Sequence, residues 1–209
     1  MSKKIDILSI PAVYLNLDED IDKNKNMLNL FSKIGIAEIN RVSATRGYYE
    51  PGTVKYESQP YISAVANSYI DSFMNMTPPF IFLEDDVEVT DSFRSSIEVP
   101  NDADIVYLGG SIYALKLPDC VAGTRRKAFR KTNMSNILEL DGMLSLHAIV
   151  VLNEQAKNLL INILKEKNLI FPDVRIARLQ KDKMANFYAI DPPLFYQTDK
   201  IEATYDPYR

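Results

Sequence analysis

Phe80-Ile81-Phe82-Leu83-Glu84-Asp85-Asp86 carries four consecutive apolar residues straight into three consecutive carboxylates. An unbroken apolar run of this kind suits a central strand covered on both faces. The acids at its end repel one another, so a cation, a basic neighbour or solvent must offset them. Alternate residues of an extended segment point the same way, which puts Glu84 and Asp86 on one side and Asp85 on the other. A small set of hard oxygen ligands at a strand end suits Mg²⁺ or Mn²⁺ shared with substrate phosphates. An acidic turn facing solvent is the competing reading, and the pattern alone leaves both open.

Working outward, the chain alternates strand and helix patterns. Upstream, Ile5 to Leu17 reads as a buried first strand, and Asp18-Glu19-Asp20 then supplies acids for a first helical turn. Ile21, Met27, Leu28, Leu30, Phe31 and Ile34 give that helix an apolar face, and Gly35 ends it. Ile39 to Val42 is a short strand, and a helix runs from about Tyr61 to Met76 before Pro78-Pro79 stops it. Downstream, Asp104 to Leu108 and Leu144 to Leu152 read as strands, with irregular chain between them over 111–140. A helix from Glu154 to about Glu166, a shorter one over Pro172 to Lys181 and a strand over Phe187 to Ile190 complete the pattern. This alternation predicts an α/β fold with a mostly parallel central sheet flanked by helices, in one domain spanning 1–209. Ligands of such sheets sit beyond the carboxyl ends of the strands, where Glu84, Asp85 and Asp86 lie.

Composition narrows the function. The 209 residues include 24 Lys and Arg against 28 Asp and Glu, a net charge of −4 that gives no general attraction to nucleic acid. Arg125-Arg126-Lys127 with Arg130-Lys131 is a local basic run, read first as a solvated loop. Cys120 is the single cysteine and His147 the single histidine, which excludes an intrachain disulfide and any His-rich metal centre. No apolar stretch approaches the ~20 residues of a membrane-spanning helix, and no signal segment is evident. A cytoplasmic location is expected.

Several further segments now fall into register with a known pattern. Val13-Tyr14-Leu15-Asn16-Leu17-Asp18, Val42-Ser43-Ala44-Thr45-Arg46-Gly47, Phe82-Leu83-Glu84-Asp85-Asp86-Val87 and Asp104-Ile105-Val106-Tyr107-Leu108-Gly109 follow one another in order. His147-Ala148, Ala156-Lys157-Asn158-Leu159-Leu160, Pro172-Asp173 and Ala189 to Gln197 complete the series. Across about residues 12 to 198 the chain resembles the family 25 glycosyltransferases, which include lipooligosaccharide and collagen galactosyltransferases. In them Leu-Glu-Asp-Asp-Val is the counterpart of the DxD metal motif. The resemblance implies a GT-A-like nucleotide-diphospho-sugar transferase fold and metal-dependent transfer from a nucleoside-diphosphate sugar to a hydroxyl acceptor. A saccharide acceptor is expected first; a modified DNA base or a protein hydroxyl is compatible.

On the donor side the resemblance implies Asn16, Asp18, Arg46 and Asp85, with Asp86 and Glu84 at Mn²⁺ or Mg²⁺. Asp173 would be the base that takes the acceptor's proton, and Glu84, also a catalytic candidate, would assist Asp86 through water or a sugar hydroxyl. His147 would lie on the acceptor side, where Asp141 has a lesser claim. Each has a bland counterpart. Asp173 after a proline also suits a helix N-cap, His147 a satisfied core position, Arg46 a surface ion pair and Asp141-Gly142 a turn. Tyr48, Tyr49, Tyr56 and Tyr61 offer rings for stacking on a sugar or base. The chain also departs from the pattern. Glu19 and Asp20 stand where relatives begin the first helix with arginines, and Tyr61-Ile62-Ser63-Ala64 lacks the histidine of their A-L-S-H segment. Those departures keep two rival functions in view: an inactive nucleotide-sugar-binding module, and a metal-dependent phosphohydrolase using the same acids.

Overall fold

The computed structural model describes residues 1–49, 58–109, 129–166 and 170–198. Cys120, Tyr56 and the basic residues Arg125, Arg126 and Lys127 lie outside the described residues.

The apolar run forms β4 (Phe80–Glu84), the third strand of an eight-stranded sheet. Its neighbours on one side are β2 (Ala12–Asn16) and then β3 (Ile39–Ser43) at the edge. On the other side the order continues through β10 (Ala148–Val151), β7 (Ile105–Tyr107), β11 (Phe187–Ile190), β9 (Ile137–Leu140) and β8 (Phe129–Lys131). The expected parallel pairing holds for β3 with β2, β2 with β4 and β7 with β11. The remaining neighbours pair antiparallel, so the sheet is mixed. Antiparallel β10 between β4 and β7, and antiparallel β9 beside β11, are what mix it. The carboxyl ends of β2, β3, β4 and β7 still emerge along one edge.

Both faces of the sheet are covered, which accounts for the unbroken apolar run in β4. Phe80 and Phe82 pack under α2 (Gln59–Met74), α3 (Glu154–Leu164) and α4 (Pro172–Lys181), with Tyr69, Phe73, Leu160, Ile161 and Ile176 among the residues from those helices. Ile81 and Leu83 face the opposite layer, made by α1 (Ile21–Ile34) and an outlying ribbon, with Met27, Phe31, Ile97 and Val99 against them. The ring contacts of Phe73 with Phe80 and Phe82 bind α2 to β4.

Several boundaries differ from the sequence expectation. Ile5 to Leu17 is not one strand. The Asp6 carboxylate accepts the Leu8 N–H at 3.1 Å and folds Ile7–Ser9 into a 3₁₀ turn, and Pro11 has no N–H to donate. The segment therefore divides into β1 (Ser2–Asp6), which joins β6 (Ser96–Pro100) in a separate two-stranded ribbon, and β2 in the main sheet. Asp18, Glu19 and Asp20 precede α1 rather than forming its first turn, and Asp22 is the acid inside it. Ile21 is 71% exposed and Leu28 49%, so α1's apolar face is narrower than expected. Leu144 to Leu152 is strand only from Ala148 onward, and a short ribbon of β5 (Val87–Val89) with β12 (Phe195–Gln197) follows the acids. Among the described residues no helix is long and apolar enough to cross a membrane.

Candidate functional site

A cavity of about 710 Å³ opens at the carboxyl ends of the parallel strands, in the range of small-molecule sites. Asn16 ends β2, Glu84 ends β4, and Asp85 and Asp86 form the turn into β5. Glu84 and Asp86 share one partner and Asp85 belongs to another network, although Asp85 and Asp86 lie in a turn rather than in the extended chain expected. The Gln197 amide nitrogen donates to Glu84 Oε2 at 2.8 Å and reaches the Asp86 carboxylate oxygens at 3.3 and 3.4 Å. β12 delivers that amide by pairing with β5, with Gln197 opposite Val87. Tyr69, from α2, donates its hydroxyl to Glu84 Oε1 at 2.5 Å. Burial pushes the Tyr69 pKa well above its ordinary value, and the Glu84 charge pushes it further, so Tyr69 stays a donor.

Asp85 belongs to a different network. Its Oδ2 accepts from Asn16 Nδ2 at 2.8 Å, and its Oδ1 lies 3.6 Å from Lys23 Nζ. Asn16 is buried and also receives Arg41 Nε on its Oδ1 at 3.1 Å. Arg41 continues to Asp18 at 2.7 Å, and that hydrogen bond holds the Asp18 carboxyl below its ordinary pKa. Asp18 is largely exposed and is not part of the cavity wall, whereas Asn16 and Asp85 are. Arg46 lines the cavity and pairs with Glu19.

Asp173 sits in the first turn of α4, one residue inside the helix. The N-cap position belongs to Phe171, which has no side chain able to cap, so Asp173 is not the capping residue. Its carboxylate lines the cavity and accepts the Ser145 N–H at 3.4 Å. His147 is buried, shares a 2.5 Å hydrogen bond between its Nδ1 and Ser145 Oγ, and lies behind the cavity wall that Ser145 and Leu146 form. Asp141 accepts from Arg130 at 2.8 Å and stands outside the cavity.

The site therefore brings together Asn16, Arg46, Glu84, Asp85, Asp86 and Asp173, and leaves Asp18, His147 and Asp141 outside its wall. Sequence reasoning did not single out Tyr69, Lys23, Ser68 or Ser145. Lys23 supplies a positive charge from α1 to the cavity wall, beside Asp85. Ser68 accepts the Thr45 N–H at 2.9 Å while donating to Ala64 O, fastening the 44–47 segment to α2. Gln197 was visible as the end of a motif segment, without a role.

Among the described residues, no group of three or more His, Cys, Asp or Glu side chains is arranged to hold a metal ion. The Glu84 and Asp86 pair nevertheless fits a hard divalent cation of the kind held by one or two carboxylates plus substrate phosphates. Both carboxylates already converge on one donor, the Gln197 amide.

Comparison with known proteins adds little. No protein-family model matches the chain, and no curated protein matches its sequence. A solved structure titled as the crystal structure of a glycosyltransferase involved in the glycosylation of the major capsid of PBCV-1 is similar with a TM-score of 0.46 and 9% identity. The match covers 93% of this chain and 95% of that one.

Proposed function

We propose that this chain is a glycosyltransferase that moves a sugar from a nucleoside-diphosphate sugar to a hydroxyl acceptor, with Mn²⁺ or Mg²⁺ as cofactor. The observation that carries the reading is the convergence of Glu84, Asp86 and Asp173 on one cavity at the carboxyl edge of the sheet. Its charge supports the cation. Asp20, Glu84, Asp85, Asp86 and Asp173 line the cavity against Lys23 and Arg46, an excess of carboxylates that repels an anionic diphosphate. Glu84 and Asp86 would hold a divalent cation, which when bound would supply the positive charge that a departing diphosphate requires.

The remaining steps belong to the chain's own groups. Asn16 and Asp85, braced by Arg41 and Lys23, form the donor end beside Leu15 and Leu17. Arg46 exchanges Glu19 for phosphate oxygens, to which a guanidinium fork is well matched, while Lys23 stays beside Asp85 and adds its charge to the donor end. Tyr69 orients Glu84 through the hydroxyl it donates to Oε1. Asp173, across the cavity, accepts the proton of the acceptor hydroxyl as that oxygen attacks the sugar.

The test is product analysis with UDP-glucose, UDP-galactose and GDP-mannose in the presence of Mn²⁺. The expected product is nucleoside diphosphate, released slowly without acceptor and faster with one. Release of nucleoside monophosphate would make the chain a phosphohydrolase, and donor binding with no release would make it an inactive binding module.

A further inference from the structure

Ser145 holds a backbone conformation that few side-chain-bearing residues adopt. Its φ is 82°, in the left-handed region, and among the described residues only Lys183 shares that sign outside glycine. Strain of this kind persists only where the surroundings over-determine it, and it concentrates at working sites. Ser145 lines the cavity. Its N–H points at Asp173 Oδ2 (3.4 Å), and its Oγ meets His147 Nδ1 at 2.5 Å.

His147 is in turn wedged in place. A Cβ added at Gly109 would stand 2.1 Å from His147 Nε2 and 2.9 Å from Phe195 O, so residue 109 must be glycine for the imidazole to occupy its slot. The His147 carbonyl accepts the Glu84 N–H at 2.9 Å, which fixes the same segment to the end of β4. The strand end, the imidazole and the left-handed serine thus form one rigid link to the Asp173 carboxylate.

We propose that Ser145 and His147 are positioning residues for Asp173: the imidazole locks the serine hydroxyl, and the locked backbone presents its N–H to the carboxylate. This rests on the reading of Asp173 as the proton acceptor, and it gives His147 a role that needs no contact with substrate. The backbone N–H, not the hydroxyl, is the group that meets Asp173. A glycine at 145 adopts the same φ without penalty and so retains that contact better than alanine does.

Two measurements test it. In ¹⁵N-serine-labelled protein without ligand, Asp173→Asn weakens the acceptor and shifts the Ser145 amide proton upfield; in a His147→Phe background the shift shrinks. With whichever of UDP-glucose, UDP-galactose or GDP-mannose the wild type turns over, Ser145→Ala lowers kcat by roughly 10- to 100-fold, the cost of a small misplacement, with donor KM unchanged. Ser145→Gly, which relieves the left-handed strain but still lacks the hydroxyl that His147 holds, recovers part of that loss and not all of it. A Ser145 amide indifferent to Asp173→Asn overturns the positioning role, as does wild-type kcat in Ser145→Ala. Wild-type turnover in Asp173→Asn despite a shifted amide would instead overturn the reading of Asp173 as the base.

Discussion

Two polar clusters, one at the joint between α3 and α4 and one at the carboxyl edge of the sheet, are built on opposite terms. At the helix joint, Arg175 is only 2% exposed, and its guanidinium donates to the carbonyls of Leu164, Glu166 and Ile170 at 2.9, 2.8 and 2.6 Å. One cation there gathers the carbonyls at the end of α3 and the chain leading to α4, where the macrodipole favours positive charge. At the sheet edge, Glu84 and Asp86 gather around an uncharged amide, with an uncharged phenol behind. The first cluster sets one cation against carbonyl dipoles, and Arg175 does not line the cavity of the site. The second has like charges held side by side on a cavity wall, at a cost the fold alone does not require. Burial with matched charge reads as structure; carboxylates crowded around neutral donors at an open wall read as a place for a ligand's charge.

The contrast is broken first at Asp173. Asp173→Asn removes a proton acceptor but no cap, since Phe171 holds the N-cap position. Turnover should fall by roughly 10²–10⁴-fold with an unchanged melting temperature and donor binding intact. A melting temperature that falls in step with activity would return Asp173 to a structural role.

Arg175→Met is the opposite experiment. Each buried carbonyl left without a donor costs roughly 1–3 kcal/mol, so the variant should lose about 3 kcal/mol or more in urea unfolding. Donor affinity per folded molecule should stay as in the wild type, because Arg175 does not line the cavity. Weakened donor binding at full folding would blur the distinction between the two clusters.

How far the sequence reached follows the range of the interactions. The Phe80 to Leu83 run and the acids after it declared a covered strand with a site at its end, because both signals lie within seven residues. Helices α2, α3 and α4 were legible from their apolar spacing, Pro78-Pro79 and Pro172. The division of the first strand was hidden, since Ile5 to Leu17 is apolar enough to be buried in either sheet; Asp6 and Pro11 were its only markers. Lys23 was masked by a helix start placed at Asp18 rather than Ile21. Tyr69 and Gln197 reach Glu84 from 15 and 113 residues away, and no local pattern joins them.

Smaller effects sharpen the comparison. Gln197→Leu removes the shared donor from Glu84 and Asp86, and apo stability should fall by about 1–2 kcal/mol. Adding Mn²⁺ should restore more melting temperature to this variant than to the wild type. An equal Mn²⁺ response in both would show that the amide does not stand between the carboxylates energetically.

The smallest effect is alkaline. Burial, then the Asp173 charge, pushes the Tyr107 pKa far above its ordinary value of about 10. Tyr188 is pushed up to about 12 by burial and by Asp102. Above pH 10 the unfolded chain releases these protons and the folded chain keeps them, so the stability they lend is complete below pH 10 and declines as pH rises. Urea midpoints at pH 8, 10 and 11 should fall in that order, less steeply in Tyr107→Phe; a flat profile in the wild type would refute the assignment.

Glu84 and Asp86 are proposed to hold a cation that brings a diphosphate with it. Isothermal calorimetry of UDP with Mn²⁺ and with EDTA, on the wild type and on Asp86→Asn, addresses it directly. The account predicts UDP binding by the wild type only with Mn²⁺, and loss of that binding in a fully folded Asp86→Asn. Equal UDP affinity in EDTA, or Mn²⁺-dependent binding undiminished in Asp86→Asn, would contradict it.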